Sequence, residues 1–406
     1  MIVASVVGGL LWLRWGGIRK GIWDDLDVYV RGAAAVIHHE PLYSVSVRGL
    51  PFTYPPFAAV LYAPLELLGE GGARWTLTMA SIACYFVVVV VCARRLRVSL
   101  AISGMVGLAG LAFEPFARTI LLGQINLVLL ALVVVDCLVV PARYRGMLIG
   151  LATGIKILPG AFILFLILKR EWWAVGRAFA VFAVTVAVGG LFAPSDTWLF
   201  WSGGFINLSR FGPAAIIGGD NQSLSAAFMR LFHDVLPPSI PLLLMSLGVL
   251  TLGVVAAKRQ IDAGNDVNGL VCIGFASLLA SPVSWTHHWV WAVLALLVLV
   301  QSRSHVAAAV LGGVFVIGPM WFAPRGQFLE FHHNWWQATG CVSYVVIGLA
   351  YLIFFATSRQ RSETQPSASR ATSVERVTRE SAMTSRDPAA ELSGSIGLAT
   401  HDCPDT

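Results

Sequence analysis

Apolar runs of helical length, broken by short polar stretches, follow one another along almost the whole chain and limit its fold more than any other feature. They fall near 2–15, 75–93, 100–113, 125–140, 147–157, 159–168, 178–192, 242–257, 270–279, 290–300, 306–320 and 342–356. A bilayer interior offers the backbone no hydrogen-bond partners, so runs of this kind cross it as helices. Charge is correspondingly scarce: 12% of the 406 residues are Asp, Glu, Lys or Arg, against about 25% in soluble domains. A mean hydropathy of +0.74 agrees. The expected fold is all-α, a polytopic membrane protein.

The formal net charge is +6, yet the cations form no basic stripe suited to nucleic acid. They sit in pairs after apolar runs, as Arg94-Arg95, Arg143 with Arg145, Lys169-Arg170, Lys258-Arg259 and Arg359 with Arg361. That is the positive-inside pattern. Arg143 with Arg145 and Lys169-Arg170 both read as cytoplasmic, so an even number of crossings separates them. Residues 147–168 are therefore expected to form a hairpin of two short helices and not one helix kinked at Pro159. The count becomes about 12 transmembrane helices with both ends inside, as this reading of the loop charges requires. Arg14, Arg19 and Lys20 then fall outside, against the rule.

The opening stretch lacks a basic n-region and a small-residue cleavage site, and is expected to be the first membrane helix. Residues 1–357 are expected to form one membrane-embedded domain. Residues 358–406, rich in Ser, Thr, Arg, Glu and Pro, read as a disordered cytoplasmic tail. Cys84, Cys92, Cys137, Cys272 and Cys341 lie in apolar runs and Cys403 stands alone, so no disulfide frame or redox role follows. There is no Walker A sequence, Rossmann glycine pattern or zinc-type cluster. A nucleotide-driven pump is disfavoured, and neither cofactor nor metal is expected.

The outer loops of this map hold most of the Asp, Asn, Gln, His and Trp. Asp24, Asp25 and Asp27 come first, between the first apolar segment and the first long one. One of them can cap a helix running through residues 28–37. Three exceed what a cap needs, and acids clustered at a membrane surface mark chemistry or ion handling. Asp25-Leu26-Asp27 also matches a pattern by which sugar transferases hold a metal with a diphosphate, although alone it is weak. Phe52-Thr53-Tyr54-Pro55-Pro56 restricts the backbone at each proline, which makes it a rigid entry to a helix with Tyr54 a possible substrate contact.

Ser281 to Trp289 contains His287 and His288, which at a membrane mouth can stabilise a leaving phosphate, shuttle a proton or bind a metal. Neighbours on a helix point about 100° apart, so one face receives one of them. A plain interfacial His–Trp belt is the alternative. Lys156 interrupts an apolar region. Snorkelling would explain it, but the hairpin puts it at the outer turn beside Asp25 and His287 as a candidate phosphate contact. Glu114 and Arg118 are expected to pair at helical spacing, with Gln124 and Asn126 in the same outer turn. Asp220-Asn221-Gln222-Ser223 suits a polyhydroxylated acceptor. His38-His39 and His332-His333 read as solvated, and Asp136 as structurally paired near the inner end of its run.

Taken in order, these residues resemble glycosyltransferase family 87. The resemblance is carried by Asp25-x-Asp27-x-Tyr29 with Gly32, Pro41-Leu42-Tyr43, the 52–56 motif, Gly123-Gln124-Ile125-Asn126, Gly154-Ile155-Lys156 with Pro159, Asp220-Asn221-Gln222 and the 281–289 stretch. It covers roughly residues 22–291. The family comprises actinobacterial membrane mannosyltransferases of GT-C architecture that use polyprenyl-phosphate mannose. The resemblance implies an inverting transfer on the periplasmic side of the plasma membrane. Its acceptors would be mannose-bearing glycolipids: phosphatidylinositol mannosides, lipomannan and lipoarabinomannan. The family's catalytic aspartate falls on Asp25 and its late histidines on His287 and His288.

With that implication Asp27, Tyr54, Gln124, Asn126, Lys156, Asn221, Gln222, His287 and His288 are expected to bind the donor phosphate or the acceptor. Two other readings stand beside it: a transferase of another polyprenyl-phosphate sugar such as arabinose, and an ion-coupled transporter. Asp136 alone suits the transporter better, because the other acids lie in an outer loop and not at mid-membrane.

Overall fold

The structure, a computed structural model, describes residues 23–233, 239–326 and 328–358. The expected first membrane helix at 2–15 and the tail beyond Ser358 lie outside the described residues. Asp24–Ile37 (α1) and Pro56–Leu67 (α2) pack together across a loop carrying a short antiparallel ribbon, Ser46–Val47 (β1) with Leu50–Pro51 (β2). Pro56 opens α2, where its missing N–H costs nothing. Gly69–Arg95 (α3), Leu100–Leu111 (α4), Glu114–Leu122 (α5), Asn126–Leu138 (α6) and Met147–Ile155 (α7) follow. Ile163–Leu168 (α8) and Trp172–Phe192 (α9) lead into a long loop with Pro194–Trp201 (α10), Pro213–Ile217 (α11) and Leu224–Phe232 (α12). Ser239–Asp262 (α13), Asp266–Ala280 (α14), Ala292–Gln301 (α15), His305–Ile317 (α16), Trp335–Cys341 (α17) and Ser343–Thr357 (α18) complete the order.

The protein is all-α apart from the ribbon. By length and composition three helices among the described residues suffice to cross a membrane: α3, α9 and α13. The bent pairs α4–α5 (57°) and α17–α18 (60°) raise the number to five. The other apolar helices run to 10–17 residues, so length alone does not recover 12 crossings, which would need about 20 apolar residues each.

The core centres on α14 and α15, which are apolar all round and buried along nearly their whole length. Such helices belong inside a bundle. On its flank α7 meets α9 through Gly146, Gly150 and Gly154, which share one face. A Cβ on Gly150 would run into the carbonyl oxygen of Ala178, and one on Gly154 into Thr185 Oγ1. Small residues at four-residue spacing let membrane helices approach backbone to backbone.

The cationic pairs gather at one end of the bundle and tie helix termini together. Arg145 pairs with Glu171 at 2.5 Å and Lys169 with Asp266 at 2.6 Å. Arg95 donates to the Leu138 carbonyl and Arg259 to that of Ala356. Asp136 accepts from the backbone N–H groups of Gly146 (2.7 Å) and Ile149 (2.8 Å). It therefore closes the first turn of α7, as a structural acid should.

Candidate active site

Opposite that cationic end, α1 begins at Asp24, so all three aspartates lie in its first turn and none caps a helix starting at Val28. Acids there complement the unpaired N–H groups of the helix start. Their partners then divide them. Asp24 pairs with Arg48, and Asp27 with both Arg48 and Arg74 at 3.4 Å. Asp27, expected to touch substrate, is thus held by two arginines. Asp25 makes no ion pair among the described residues.

Asp25 instead accepts a hydrogen bond of 2.7 Å from Gln124 Nε2. Gln124 reaches it because α5 ends on Gly123 in the left-handed region (φ 67°), turning the chain toward α1. A Cβ at Gly123 would lie 2.5 Å from that of Leu26, so the turn and the α1 contact both require glycine. Gln124 Oε1 accepts from the Tyr54 hydroxyl (2.9 Å), which accepts from that of Tyr29 (2.8 Å). Every donor in this chain points toward Asp25, an arrangement in which each bond strengthens the next. Burial raises the Asp25 carboxyl above the ordinary carboxylate range. The Gln124 hydrogen bond, then the charges of Arg118 and Lys156, work against that rise.

Lys156 sits in extended backbone between α7 and the next helical turn. Its Nζ donates to Asn126 Oδ1 at 3.0 Å and lies 2.9 Å from His288 Nε2. It also stands 5.1 Å from the Tyr54 ring centroid. Burial pulls its amine down to about 7, with the Asp25 charge opposing. Asn126 Nδ2 and Thr119 Oγ1 both donate to the His287 carbonyl, at 2.9 and 3.2 Å. The two histidines are thereby distinguished: His288 faces Lys156 through its ring, while His287 is fastened through its backbone. Their rings stand at 89° on the 3-10 turn Thr286–Trp291.

Tyr54, Lys156 and His288 share the wall of a cavity of about 400 Å³ with Trp285, Phe205 and Phe211. Arg210 lines it too, 4.8 Å from the Phe211 ring centroid, with its Nε buried and without a hydrogen-bond partner among the described residues. Arg210 belongs to no motif in the sequence. Its one signal was a lone cation in an otherwise apolar outer segment.

The polar strap near residue 220 turns its amides inward. Asn221 and Gln222 are fully buried and spend their amides on backbone. Asn221 donates to the carbonyls of Ile216 (2.8 Å) and Pro282 (3.2 Å) and accepts from Ser284 N (2.8 Å). Gln222 donates to Gly219 and Cys341, both at 2.7 Å, and accepts from Tyr344 N. They pin the segment before the histidines, because a buried amide has to satisfy itself locally. The expected Glu114–Arg118 pair is a correction. Glu114 accepts from Thr286 Oγ1 (2.7 Å), Trp321 Nε1 (2.8 Å) and the Tyr344 hydroxyl (3.0 Å). Arg118 stacks over Trp321 instead. His38, His39 and His332 are exposed.

An all-helical membrane protein in which a carboxylate without an ion pair among the described residues, a lysine–imidazole pair and an apolar cavity meet at one end of the bundle has the parts of a lipid-linked transferase. The comparisons identify the family: the model of glycosyltransferase family 87 matches residues 52–282. The chain belongs to glycosyltransferase family 87, and it is a glycosyltransferase. It is 31% identical over 384 residues to the polyprenol-phosphate-mannose-dependent alpha-(1-2)-phosphatidylinositol mannoside mannosyltransferase of Mycobacterium tuberculosis, covering 87% of this chain and 88% of that one. A Mycolicibacterium smegmatis protein of the same description is 33% identical over 72% of this chain and 73% of its own. The phosphatidylinositol pentamannoside mannosyltransferase of that organism is 31% identical over 89% and 92%. No solved structure matches the chain.

Proposed function

We propose that the chain transfers mannose from polyprenyl-phosphate mannose to a mannosylated glycolipid, inverting the anomeric carbon, with Asp25 as general base. The acceptors are phosphatidylinositol mannosides, lipomannan or lipoarabinomannan. The reading places the reaction at the periplasmic face of a plasma-membrane protein of GT-C architecture with about 12 crossings, both ends and the 358–406 tail being cytoplasmic, as the loop charges argue. The observation that carries it is the convergence of one unpaired carboxylate with the Lys156–His288 pair, from segments far apart in sequence, beside a largely apolar cavity.

In this mechanism the acceptor hydroxyl gives its proton to Asp25 as its oxygen attacks the anomeric carbon. The bond from that carbon to the phosphate oxygen breaks, and polyprenyl phosphate leaves with the electron pair. Lys156 and His288 meet the charge on the departing phosphate, while Asn126 holds Lys156 in place. A single displacement needs one base and no carboxylate nucleophile, which fits a site where Asp24 and Asp27 are already paired. The apolar cavity wall suits a prenyl chain arriving from the bilayer.

Transfer of labelled mannose from polyprenyl-phosphate mannose to phosphatidylinositol mannosides by purified protein tests this, with Asp25→Asn and EDTA in parallel. Wild type should transfer, and the variant should lose about 100- to 10,000-fold. Failure of folded wild type to transfer to any mannosylated lipid would sink the donor assignment and turn attention to arabinose donors.

A further inference from the structure

Both substrates of such an enzyme are lipids, and both have to bring a reacting group to one carboxylate. Lys156 and His288 account for one cationic group near Asp25. Arg118, whose charge also reaches Asp25, belongs to another group that the transfer mechanism leaves unused. The guanidinium carbon of Arg118 lies 4.7 Å from the ring centroid of Trp321, and that of Arg325 lies 4.2 Å from the same centroid. Sharing one ring puts the two cations within about 9 Å of each other, where like charges repel. Cation–π attraction offsets part of that cost. Neither arginine makes an ion pair among the described residues, and Arg118 Nε is buried without a hydrogen-bond partner among them. Asp220 and Glu330 lie within electrostatic range of Arg325 without closing on it.

The platform is rigid. Trp321 Nε1 donates to Glu114, a fully buried carboxylate also held by Thr286 and Tyr344. Two guanidiniums fixed on an anchored ring present planar N–H edges, the geometry that matches a phosphate. A second cavity of about 490 Å³ opens beside Glu330, walled by Leu224, Phe228, Leu231 and Met245. It offers apolar volume for acyl chains on this side.

We propose that Arg118, Trp321 and Arg325 form the acceptor subsite for the anionic phosphodiester headgroup of a phosphoglycolipid. The inference rests on the mannosyl-transfer reading above. It assigns the two cationic groups around Asp25 to two different lipids: Lys156 to the donor phosphate and the stacked arginines to the acceptor.

The test uses purified full-length enzyme, labelled donor and two acceptors, a phosphatidylinositol mannoside and an uncharged alkyl mannoside. The readout is the ratio of KM for the charged acceptor to KM for the uncharged one. Arg325→Gln, at an exposed position that tolerates the change, should raise that ratio about 10-fold. Arg325→Lys should recover part of it, and Arg118→Gln should move it in the same direction. Ratios within about twofold of wild type in both glutamine variants, with folding intact, would show the arginines to be structural and overturn the assignment. Wild type that uses neither acceptor would overturn the mannosyl-transfer reading and this inference with it.

Discussion

In the proposed mechanism Lys156 has to be charged to meet a phosphate, yet burial resists charging it. Asp25 carries the opposite requirement, since it has to lose a proton in surroundings that favour keeping one. The rate against pH follows from these two signs. kcat/KM should rise as Asp25 deprotonates, above the ordinary carboxylate range, and fall above about 7 as Lys156 loses its proton. Two pH units beyond that limb, the wild-type value should be down about 100-fold. Lys156→Arg keeps a permanent charge and should flatten the alkaline limb, and a limb that persists in this variant would assign it elsewhere. A bound phosphate raises the lysine's proton affinity, so the limb in kcat should lie higher than that in kcat/KM. That Asp25, Lys156 and His288 would gather was legible in the sequence because charge in an apolar chain is rare enough to stand out. The stacking of Arg118 and Arg325 on Trp321 was not. A tryptophan near a membrane surface has an ordinary explanation, and what makes this one unusual is contact across some 200 residues. The backbone engagement of Asn221 and Gln222 was not legible for the converse reason: a polar cluster looks the same in sequence whether its amides face a ligand or its own backbone.

Among the helices, the α7–α9 contact decides where Lys156 stands, because Lys156 follows α7 directly. Gly150→Leu should force these helices apart and cost about 2–3 kcal/mol, read as a lower melting temperature in detergent together with a reduced kcat. Gly176→Leu is the matched control. It lies on α9, the partner helix, but nothing would stand within 4 Å of its Cβ, so stability should change by less than about 0.5 kcal/mol. Equal losses in the two variants would mean that leucine is disfavoured on these helices generally, and that close approach plays no part. The break after α7 was foreseen from the basic pairs at its two flanks. The glycine face was passed over because attention to apolar runs treats glycine as filler. The start of α1 was misplaced by one turn, since Asp24 and Asp25 read as caps when their charges are satisfied by Arg48, Gln124 and the helix start itself.

For the whole molecule, the sorting of cationic pairs to one end and the site to the other makes orientation measurable. With Cys403 replaced by Ser, Ser44→Cys in the β1 loop and Ser302→Cys between α15 and α16 are both exposed positions. An impermeant maleimide should label the first in sealed right-side-out vesicles and the second only after permeabilisation, and the reverse pattern would invert the topology. The membrane class was legible from hydropathy alone, since scarcity of charge over so long a chain has one physical outcome. The number of crossings was not, because broken helices and 3-10 turns such as Thr286–Trp291 shorten the segments that length criteria count. One consequence concerns the order in which the chain is made. Asp24 and Asp27 find Arg48 and Arg74 within about 50 residues of themselves, so two of the three acids are neutralised soon after they are made. Asp25 waits first for Gln124, and the imidazole beside Lys156 arrives only with His288, after most of the bundle has been made. On the proposed mechanism, a nascent or truncated chain would carry the base without the machinery to expel a phosphate, and so could not waste lipid-linked sugar on water during its own assembly.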